Sequence, residues 1–304
     1  MSRPADLDVL IPSKDRPAAL AVTLSGLAAQ TVSGFRVVVS DQSAEPASED
    51  PLVASAVRIL DHLGRPAELL RHVPPRGLAE QRQFLLEQSR RRLVLYLDDD
   101  VWLEPTAVEV LLSAMDALRC GFVGYALHGL SYRHDMRPHE LAPYEEWTSR
   151  VRPERVRRGG PAWRRFTLHN ASNPLHLAQR VAKGRRWWAY KVAWIGGCVL
   201  YDRRRLEECG GFRFWRSVPP AHAGEDVVAE LRVMERYGGA GLLPSRAYHM
   251  ELPTTVRDRT AECYDYVLGD GHHRADHRAD HHADHHADRR DACRDDRRDD
   301  RLPR

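Results

Sequence analysis

The chain has 304 residues, of which 42% are hydrophobic, so it is long enough to bury one substantial core. Its formal net charge of only +3 does not indicate a nucleic-acid-binding protein. No segment approaches the apolar length of a membrane span, and the N-terminus lacks the apolar core of a signal peptide, so we expect a cytoplasmic protein. The five scattered cysteines, without a C-x-x-C pair, indicate reduced thiols rather than a disulfide framework or a zinc cluster.

The first third of the chain alternates between predicted strands and predicted helices. This alternation predicts βαβ units and an α/β fold of the Rossmann-like type, with a mostly parallel sheet flanked by helices. The chain has neither a G-x-G-x-x-G pattern after the first strand nor a G-x-x-x-x-G-K-[ST] pattern, so neither a dinucleotide fold nor a P-loop is supported. The apolar runs that predict strands are residues 8–12, 35–40, 68–72 and 93–97.

Carboxylates follow two of these strands where each strand ends. Asp41 follows the second strand, and Asp98, Asp99 and Asp100 follow residues 93–97, an apolar run without alternation that is typical of a strand buried on both faces. Ligands of open α/β sheets bind at the carboxyl ends of the strands. Three adjacent carboxylates repel one another, so we interpret them as a site for Mg²⁺ or Mn²⁺ completed by a diphosphate. A solvated acidic turn is the alternative.

The second half of the chain opens with a change of composition. Arginine, lysine and tryptophan crowd into residues 126–192, which indicates either a solvated face with arginine stems over apolar rings or an anionic membrane surface or phosphate-bearing partner. We favour the solvated face, because no clean amphipathic helix is present. Strand character then returns at residues 193–201, with Gly196 and Gly197 where the backbone must approach another group closely.

Two features lie near the end of the chain. Glu225 and Asp226 open a predicted helix, where the helix dipole alone gives them a structural explanation. Residues 269–304 contain low-complexity repeats of histidine, aspartate and arginine with a period of four, which predict a disordered tail rather than a core. Histidines four apart could share a helical face and bind a transition metal, but we favour a tail without that role.

With these motifs placed in order, the chain resembles a family 2 glycosyltransferase of the GT-A fold. The resemblance covers residues 8–102 and 194–249 and depends on the order, spacing and strand-end positions of short motifs. The segment that contains Pro12, Asp15 and Arg16 looks like the opening strand and nucleotide loop of that family. The resemblance therefore implies that these three residues contact the donor nucleotide.

The resemblance implies roles for further residues in donor binding. Asp41 matches the carboxylate of the second strand, which typically contacts the base, usually uracil. Residues 77–82 are similar to the G-L-A-x-A-R-N segment and assign Arg82 to the donor, although Gln81 and Gln83 depart from that pattern.

The resemblance also implies a metal site and a catalytic base. Asp98 and Asp100 take the places of the D-x-D motif, and Asp99 between them is an equally plausible ligand. Asp98 and Asp99 are assigned to the donor as well. Asp226 matches the general base of the E-D motif, and His249 falls where some GT-A enzymes have an additional metal ligand.

The implied function is metal-dependent, inverting transfer of one sugar from a nucleoside-diphosphate sugar, with UDP favoured, to an acceptor hydroxyl. The acceptor is left open as a saccharide, a lipid-linked molecule or another hydroxyl compound, and peripheral membrane contact also stays open. Transfer of a single sugar is expected because the sequence shows neither the membrane spans nor the Q-x-x-R-W motif of the processive synthases.

The implied organisation divides the chain into four parts. Residues 1–125 are a nucleotide-sugar-binding half, and residues 126–192 are an acceptor-side insertion. Residues 193–268 are a catalytic and acceptor half of the same domain, and residues 269–304 are the tail. A sugar-1-phosphate nucleotidyltransferase is one alternative, but it usually carries a glycine-rich loop after the first strand, and residues 12–17 contain no glycine. A non-catalytic protein that binds sugar nucleotides or a membrane surface is the other alternative.

Overall fold

The computed structural model of the chain describes residues 5–180, 184–256 and 258–269. The prediction of a disordered tail lies almost entirely outside these residues. The strands are β1 (Leu7–Ser13), β2 (Arg36–Asp41), β3 (Ala67–Arg71), β4 (Leu93–Leu97), β5 (Val101–Leu103), β6 (Phe122–Gly124), β7 (Trp188–Tyr190), β8 (Cys198–Asp202), β9 (Gly239–Leu243) and β10 (Ala247–His249). The α-helices are α1 (Pro17–Ala28), α2 (Pro51–His62), α3 (Leu78–Gln88), α4 (Ala107–Leu118), α5 (Pro138–Leu141), α6 (Asn173–Arg180), α7 (Arg203–Glu208), α8 (Glu225–Tyr237) and α9 (Cys263–Val267).

Eight strands form one sheet in the order β3-β2-β1-β4-β8-β6-β9-β7. The pairs among β3, β2, β1 and β4 are parallel, as is the pair of β6 and β9, so the predicted α/β fold with a mostly parallel sheet is confirmed. Strand β8 runs antiparallel to both β4 and β6. The chain reaches β8 from β6 through a segment that contains α5, α6 and β7, and an antiparallel pair needs no βαβ crossover.

Alternate residues of the central strands enter two separate cores. Val9 and Ile11 of β1 pack with helices α1, α2 and α4, whereas Leu10 between them packs with helices α3 and α8. Both faces of the sheet are therefore covered by helices, which is why the strand runs show no alternation in the sequence. No helix among the described residues is long and apolar enough to cross a membrane.

The antiparallel direction of β8 determines what lies beside the acidic residues. Leu97, the last residue of β4, pairs with Cys198, the first residue of β8. The strand predicted at residues 193–201 begins only at Cys198. Residues 193–197 are irregular, and Gly197 has a φ of 78°, which is not a strand conformation. The amide of Asp98 donates to the carbonyl of Gly197 at 3.0 Å, so the glycine pair lies at the edge where β4 ends.

Candidate active site

The end of β1 and the loop that leads into α1 hold three of the predicted donor residues, Pro12, Asp15 and Arg16. Pro12 lies buried in β1, and Asp15 follows with a φ of 55°. The carboxylate of Asp15 accepts from the amide of Ala44 at 2.7 Å, and its own amide donates to Ser43 Oγ at 2.8 Å. These bonds join the loop after β1 to the loop after β2, so the two loops form one continuous rim of the sheet edge.

Asp41 ends β2 and is almost fully buried. Its Oδ1 accepts from the amide of Ser43 at 2.9 Å, and its Oδ2 accepts from the amide of Ala47 at 2.8 Å and from Arg71 Nη1 at 3.2 Å. Burial raises the pKa of Asp41, but the hydrogen bonds from Ser43, Ala47 and Arg71 outweigh burial and hold the pKa below its ordinary value. Asp41 is thus a permanent carboxylate that fixes its loop, and its contact with a base stays a prediction.

Asp99 and Asp100 share one arginine. Asp99 Oδ2 accepts from Ser13 Oγ at 2.7 Å, and Arg16 Nη1 lies 3.4 Å from Asp99 Oδ1 and 2.7 Å from Asp100 Oδ2. The other guanidinium nitrogen of Arg16 donates to the carbonyl of Pro253. Burial raises the pKa of Asp99 to about 6 in spite of the bond from Ser13. Arg16 is therefore the cation that offsets two crowded carboxylates.

His249 reaches the acidic residues through the small second sheet. Strand β10 pairs antiparallel with β5, and the register places His249 opposite Val101. His249 Nε2 lies 3.4 Å from Asp100 Oδ2. Residues that are more than a hundred positions apart in the sequence thus meet at one point, and their role in metal binding stays a prediction.

The oxygen and nitrogen atoms at this point suit a divalent cation whose remaining ligands are phosphate or water oxygens. Among the described residues, no group of three or more histidine, cysteine, aspartate or glutamate side chains forms a complete metal site. Asp100 and His249 nevertheless offer adjacent oxygen and nitrogen ligands, and burial together with the charge of Asp98 raises the pKa of Asp100. A cation relieves such repulsion. Mg²⁺ needs only one or two protein carboxylates when phosphates and water supply the rest, so the residues fit.

Arg82 on α3 connects Asp98 to helix α8. Its Nε donates to Glu225 Oε1 at 2.9 Å and its Nη2 donates to Asp98 Oδ1 at 3.0 Å. The guanidinium lies 5.5 Å from the centre of the Tyr96 ring, whose hydroxyl donates to the backbone carbonyl of Arg82. Burial lowers the pKa of Arg82, but Asp98 and Glu225 outweigh it and raise the pKa. Arg82 is therefore a fixed counter-ion, and its contact with the donor stays a prediction.

The two glutamines that depart from the family pattern have structural partners. Gln81 Nε2 donates to the carbonyls of Ser13 and Ser40 at 3.2 and 2.8 Å, which ties the ends of β1 and β2 together. Gln83 Oε1 accepts from the amide of Phe212 at 2.9 Å. The departures therefore support the same sheet edge by other contacts.

Asp226 lies in the first turn of α8, after Gly224 with a φ of 76°. A Cβ atom placed on Gly196 would lie 3.0 Å from Asp226 Oδ2, so the carboxylate points at the glycine pair that precedes β8. Burial and the charge of Glu225 raise the pKa of Asp226 to about 7. A carboxylate with a pKa near neutral pH has the proton affinity that a general base needs.

Glu230, one helical turn after Asp226, was not singled out in the sequence. It is fully buried, and its Oε2 accepts from the amide of Ile195 at 2.6 Å. Its Oε1 is buried without a hydrogen-bond partner among the described residues. Burial and the charge of Asp226 raise the pKa of Glu230 well above its ordinary value. The sequence contains one signal for Glu230: it lies four residues after Asp226, so the two side chains share one face of the helix.

Much of the positive charge in the arginine-rich segment is paired with carboxylates. The ion pairs are Arg155 and Arg157 with Glu235, Arg158 with Asp265, Arg165 with Glu154, and Arg186 with Glu109. This pairing agrees with the interpretation as a solvated face. In the same segment His169, which was not predicted as a site residue, accepts at Nδ1 from the amide of Gly196 at 3.3 Å.

Comparisons with known proteins agree with this fold. The crystal structure of S. aureus TarS 1-349 has a TM-score of 0.53 and 14% identity, over 81% of this chain and 60% of that chain. The TarS 1-349 complex with UDP-GlcNAc has a TM-score of 0.52 and 14% identity, over 82% and 60%. The chain thus spans about 60% of the length of these relatives, and the likeness shows the fold.

The sequence comparisons differ in their results. No curated protein matches the sequence. The family described as glycosyl transferase family 2 matches residues 8–174, which is more than half of the chain. The sequence resemblance is therefore confirmed, and the chain belongs to glycosyl transferase family 2, a family of glycosyltransferases, and has the GT-A fold.

Proposed function

We propose that the protein is a metal-dependent, inverting glycosyltransferase that moves one sugar from a nucleoside-diphosphate sugar to an acceptor hydroxyl. The observation that carries this proposal is the chain of contacts at one sheet edge from Asp226, through the α8 residue Glu225 and Arg82, to Asp98. Asp226, which is suited to proton transfer, and Asp98, which is suited to a cation, thereby face the same glycine pair, Gly196 and Gly197. The TarS complex with UDP-GlcNAc supports a nucleotide sugar, and UDP in particular, as the donor.

The donor is proposed to bind along the rim formed by the first two loops. Pro12, Asp15, Arg16 and Asp41 all lie there, at the carboxyl ends of β1 and β2. Arg16 contacts Asp99 and Asp100, so its guanidinium would lie beside a cation held by these carboxylates and would supply positive charge for a diphosphate. In this proposal residues 1–125 are the donor half, residues 126–192 the acceptor-side insertion, and residues 193–268 the catalytic half.

Asp98, Asp100 and His249 are the residues that would hold Mn²⁺ or Mg²⁺. A bound divalent cation offsets the charge that develops on the leaving diphosphate. Arg82 holds Asp98 in place from the opposite side through its bond to Oδ1. The protein thus supplies a rigid acidic edge, and the substrate supplies the remaining oxygen ligands.

Asp226 is proposed as the general base. Its carboxylate takes the proton of the acceptor hydroxyl while that oxygen bonds to the anomeric carbon, and the bond from this carbon to the diphosphate breaks on the opposite face. One displacement inverts the anomeric configuration. The raised pKa of about 7 makes Asp226 basic enough to accept the proton, while it is still ionised above neutral pH.

A donor panel tests this function. Purified protein with Mn²⁺ is incubated with UDP-, GDP- and dTDP-sugars, and release of the nucleoside diphosphate is measured with and without EDTA, together with donor binding by calorimetry. We expect one donor to bind and to be cleaved only in the presence of metal. Formation of a sugar nucleotide from a nucleoside triphosphate and a sugar phosphate would instead identify the nucleotidyltransferase alternative.

Two variants separate the proposed roles. Asp226→Asn should keep donor binding and lose about 10²- to 10⁴-fold in turnover. Asp100→Asn should weaken the metal-dependent part of donor binding. The matched control is Asp116→Asn, since Asp116 is an exposed carboxylate paired with Arg92 away from the sheet edge. Normal turnover of Asp226→Asn would contradict its role as the base.

A further inference from the structure

Five aromatic side chains form a continuous stack in the second half of the chain, which we call the aromatic ladder: Tyr264, Trp163, Phe166, Trp194 and His169. The successive ring centres are 5.5, 4.8, 5.0 and 3.9 Å apart. Trp163 and Phe166 are stacked, with 29° between their planes. Three of these spacings lie within the range of roughly 4.5–7 Å for favourable aromatic pairs, and the spacing between Trp194 and His169 is shorter.

The local backbone explains why three of these rings lie in line. Residues Pro161–His169 form a 3₁₀-helix, which has three residues per turn. Side chains three apart are therefore eclipsed, and Trp163, Phe166 and His169 fall on one face of this helix. Trp194, from the irregular segment before β8, inserts its ring between Phe166 and His169.

The inner end of the ladder lies against the proposed base. A Cβ atom placed on Gly196 would lie 3.0 Å from Asp226 Oδ2, 3.0 Å from Trp194 Cζ3 and 3.3 Å from His169 Cε1. The carboxylate and both rings therefore converge on Gly196, where even a methyl group would be in tight contact with all three. A molecule resting on the two rings there would present a group directly to Asp226.

Four of the five rings are partly exposed: Trp163, Phe166, His169 and Trp194 are each only partly buried, whereas Tyr264 is buried. Trp194 Nε1 is buried without a hydrogen-bond partner among the described residues, although buried indole donors usually have one.

The charges near the ladder favour a neutral ligand. Arg158 lies 6.0 and 4.6 Å from the ring centres of Trp163 and Tyr264, but its guanidinium is paired with Asp265 at 2.7 Å. At the inner end of the ladder, the charged groups are carboxyls, including Asp226. A phosphate on the ladder would meet a paired arginine at one end and a carboxylate at the other, which is unfavourable.

We propose that the aromatic ladder is the acceptor subsite and that the acceptor is a neutral saccharide. A pyranose ring has one face of C–H groups, which packs on aromatic rings, and hydroxyls at its edge, which remain free for polar contacts. One sugar ring packs against the exposed edges of Trp194 and His169 and directs a hydroxyl to Asp226, and further sugar units extend along Phe166 and Trp163. This inference rests on the proposed glycosyl transfer.

The test measures transfer and donor cleavage separately. With the donor identified by the panel, methyl glycosides and neutral di- and trisaccharides are supplied as acceptors, alongside a phosphorylated sugar and a lipid-linked sugar. Product formation gives the acceptor KM, and release of the nucleoside diphosphate without acceptor gives donor hydrolysis. If donor binding and hydrolysis are both absent in the parent protein, the proposed function fails; if they are present, the acceptor data test the ladder alone.

The variants are chosen along the ladder. Trp194→Ala should raise the acceptor KM about tenfold for every saccharide, whereas the donor KM and donor hydrolysis should change less than about twofold. Trp194→Phe, which keeps a ring, should recover most of the affinity. Trp163→Ala should raise the acceptor KM for trisaccharides and leave the KM for monosaccharide glycosides unchanged. The matched control is Trp147→Phe, whose indole lies beside Lys191, outside the ladder.

Retained donor hydrolysis and an unchanged melting temperature show that a variant is folded. Gly196→Ala gives a further test, because the added methyl group would lie 3.0 Å from both Asp226 Oδ2 and Trp194 Cζ3 and crowd the carboxylate against the ring, and we expect loss of transfer with donor affinity retained. An unchanged acceptor KM in Trp194→Ala would overturn the proposal. So would transfer only to the phosphorylated or lipid-linked sugars, or donor hydrolysis without transfer to any neutral saccharide.

Discussion

Removal of the positive charge of Arg82 should destabilise the fold strongly. The side chains of Arg82 and Glu225 are each only 5% exposed, and they are joined at 2.9 Å. Arg82→Met leaves the carboxylates of Glu225 and Asp98 without their counter-ion. Loss of one partner of a buried ion pair costs about 3–5 kcal/mol in the free energy of unfolding. For a protein of this size, that loss lowers the melting temperature by roughly 10 °C.

The assay is urea unfolding followed by tryptophan fluorescence and by circular dichroism, because coincident transitions justify a two-state treatment. The matched control is Arg92→Met. Arg92 pairs with Asp116 at 3.0 Å, but their side chains are 51% and 68% exposed, so this change should cost less than about 1 kcal/mol. The two variants remove the same charge in different surroundings.

A second substitution tests the mechanism. Adding Glu225→Gln to Arg82→Met removes the unpaired charge, so the double variant should be more stable than Arg82→Met alone. If Arg82→Met costs no more than Arg92→Met, or if Glu225→Gln gives no recovery, Arg82 is not the counter-ion on which these carboxylates depend.

Three further predictions concern ionisation and backbone shape. Turnover should rise tenfold per pH unit up to about pH 7 and then level off, because Asp226 acts as a base only when ionised; a plateau reached well below pH 6 would refute this assignment. The raised pKa of Glu230 means that the folded state binds its proton more tightly, so the free energy of unfolding falls as pH rises above the ordinary glutamate value; Glu230→Gln should flatten that dependence in melts from pH 5 to 9. Gly77→Ala should cost more than about 2 kcal/mol, because its Cβ would lie 2.5 Å from the carbonyl of Pro220 at a φ of 102°. Gly64→Ala, at a φ of 70° with no neighbour within 4 Å, should cost only about 1 kcal/mol of strain in the same urea assay.

Local sequence signals were sufficient for β4 and the acidic residues that follow it. The run from Leu93 to Leu97 is a strand buried on both faces, and Asp98 to Asp100 follow it directly, as predicted. Periodicity cannot give the direction of a strand, however. The apolar residues of β8 would read the same in either orientation, so its antiparallel pairing with β4 depends on how the whole intervening segment folds.

The pairing of side chains across the site was the least predictable part. Arg82 lies 143 positions from Glu225, and neither residue alone indicates that they bond. Glu230 was missed because a glutamate in a helix is ordinarily solvated, and its burial against Ile195 depends on the irregular segment before β8. The sequence therefore identifies strand-end residues better than the buried partners that orient them.

The position of β8 between β4 and β6 has a consequence for how the sequence of this protein can evolve. Hydrogen bonds to β4 on one side and to β6 on the other hold Gly197 beside Asp98. That placement depends on the sheet and not on the residues that connect β6 to β7. The connecting segment can therefore diverge, lengthen or be exchanged as a cassette while the floor of the reaction centre keeps its geometry. Because the proposed acceptor subsite takes Trp163, Phe166 and His169 from this segment, we expect chimeras that receive a foreign segment here to keep donor binding and to change their acceptor preference.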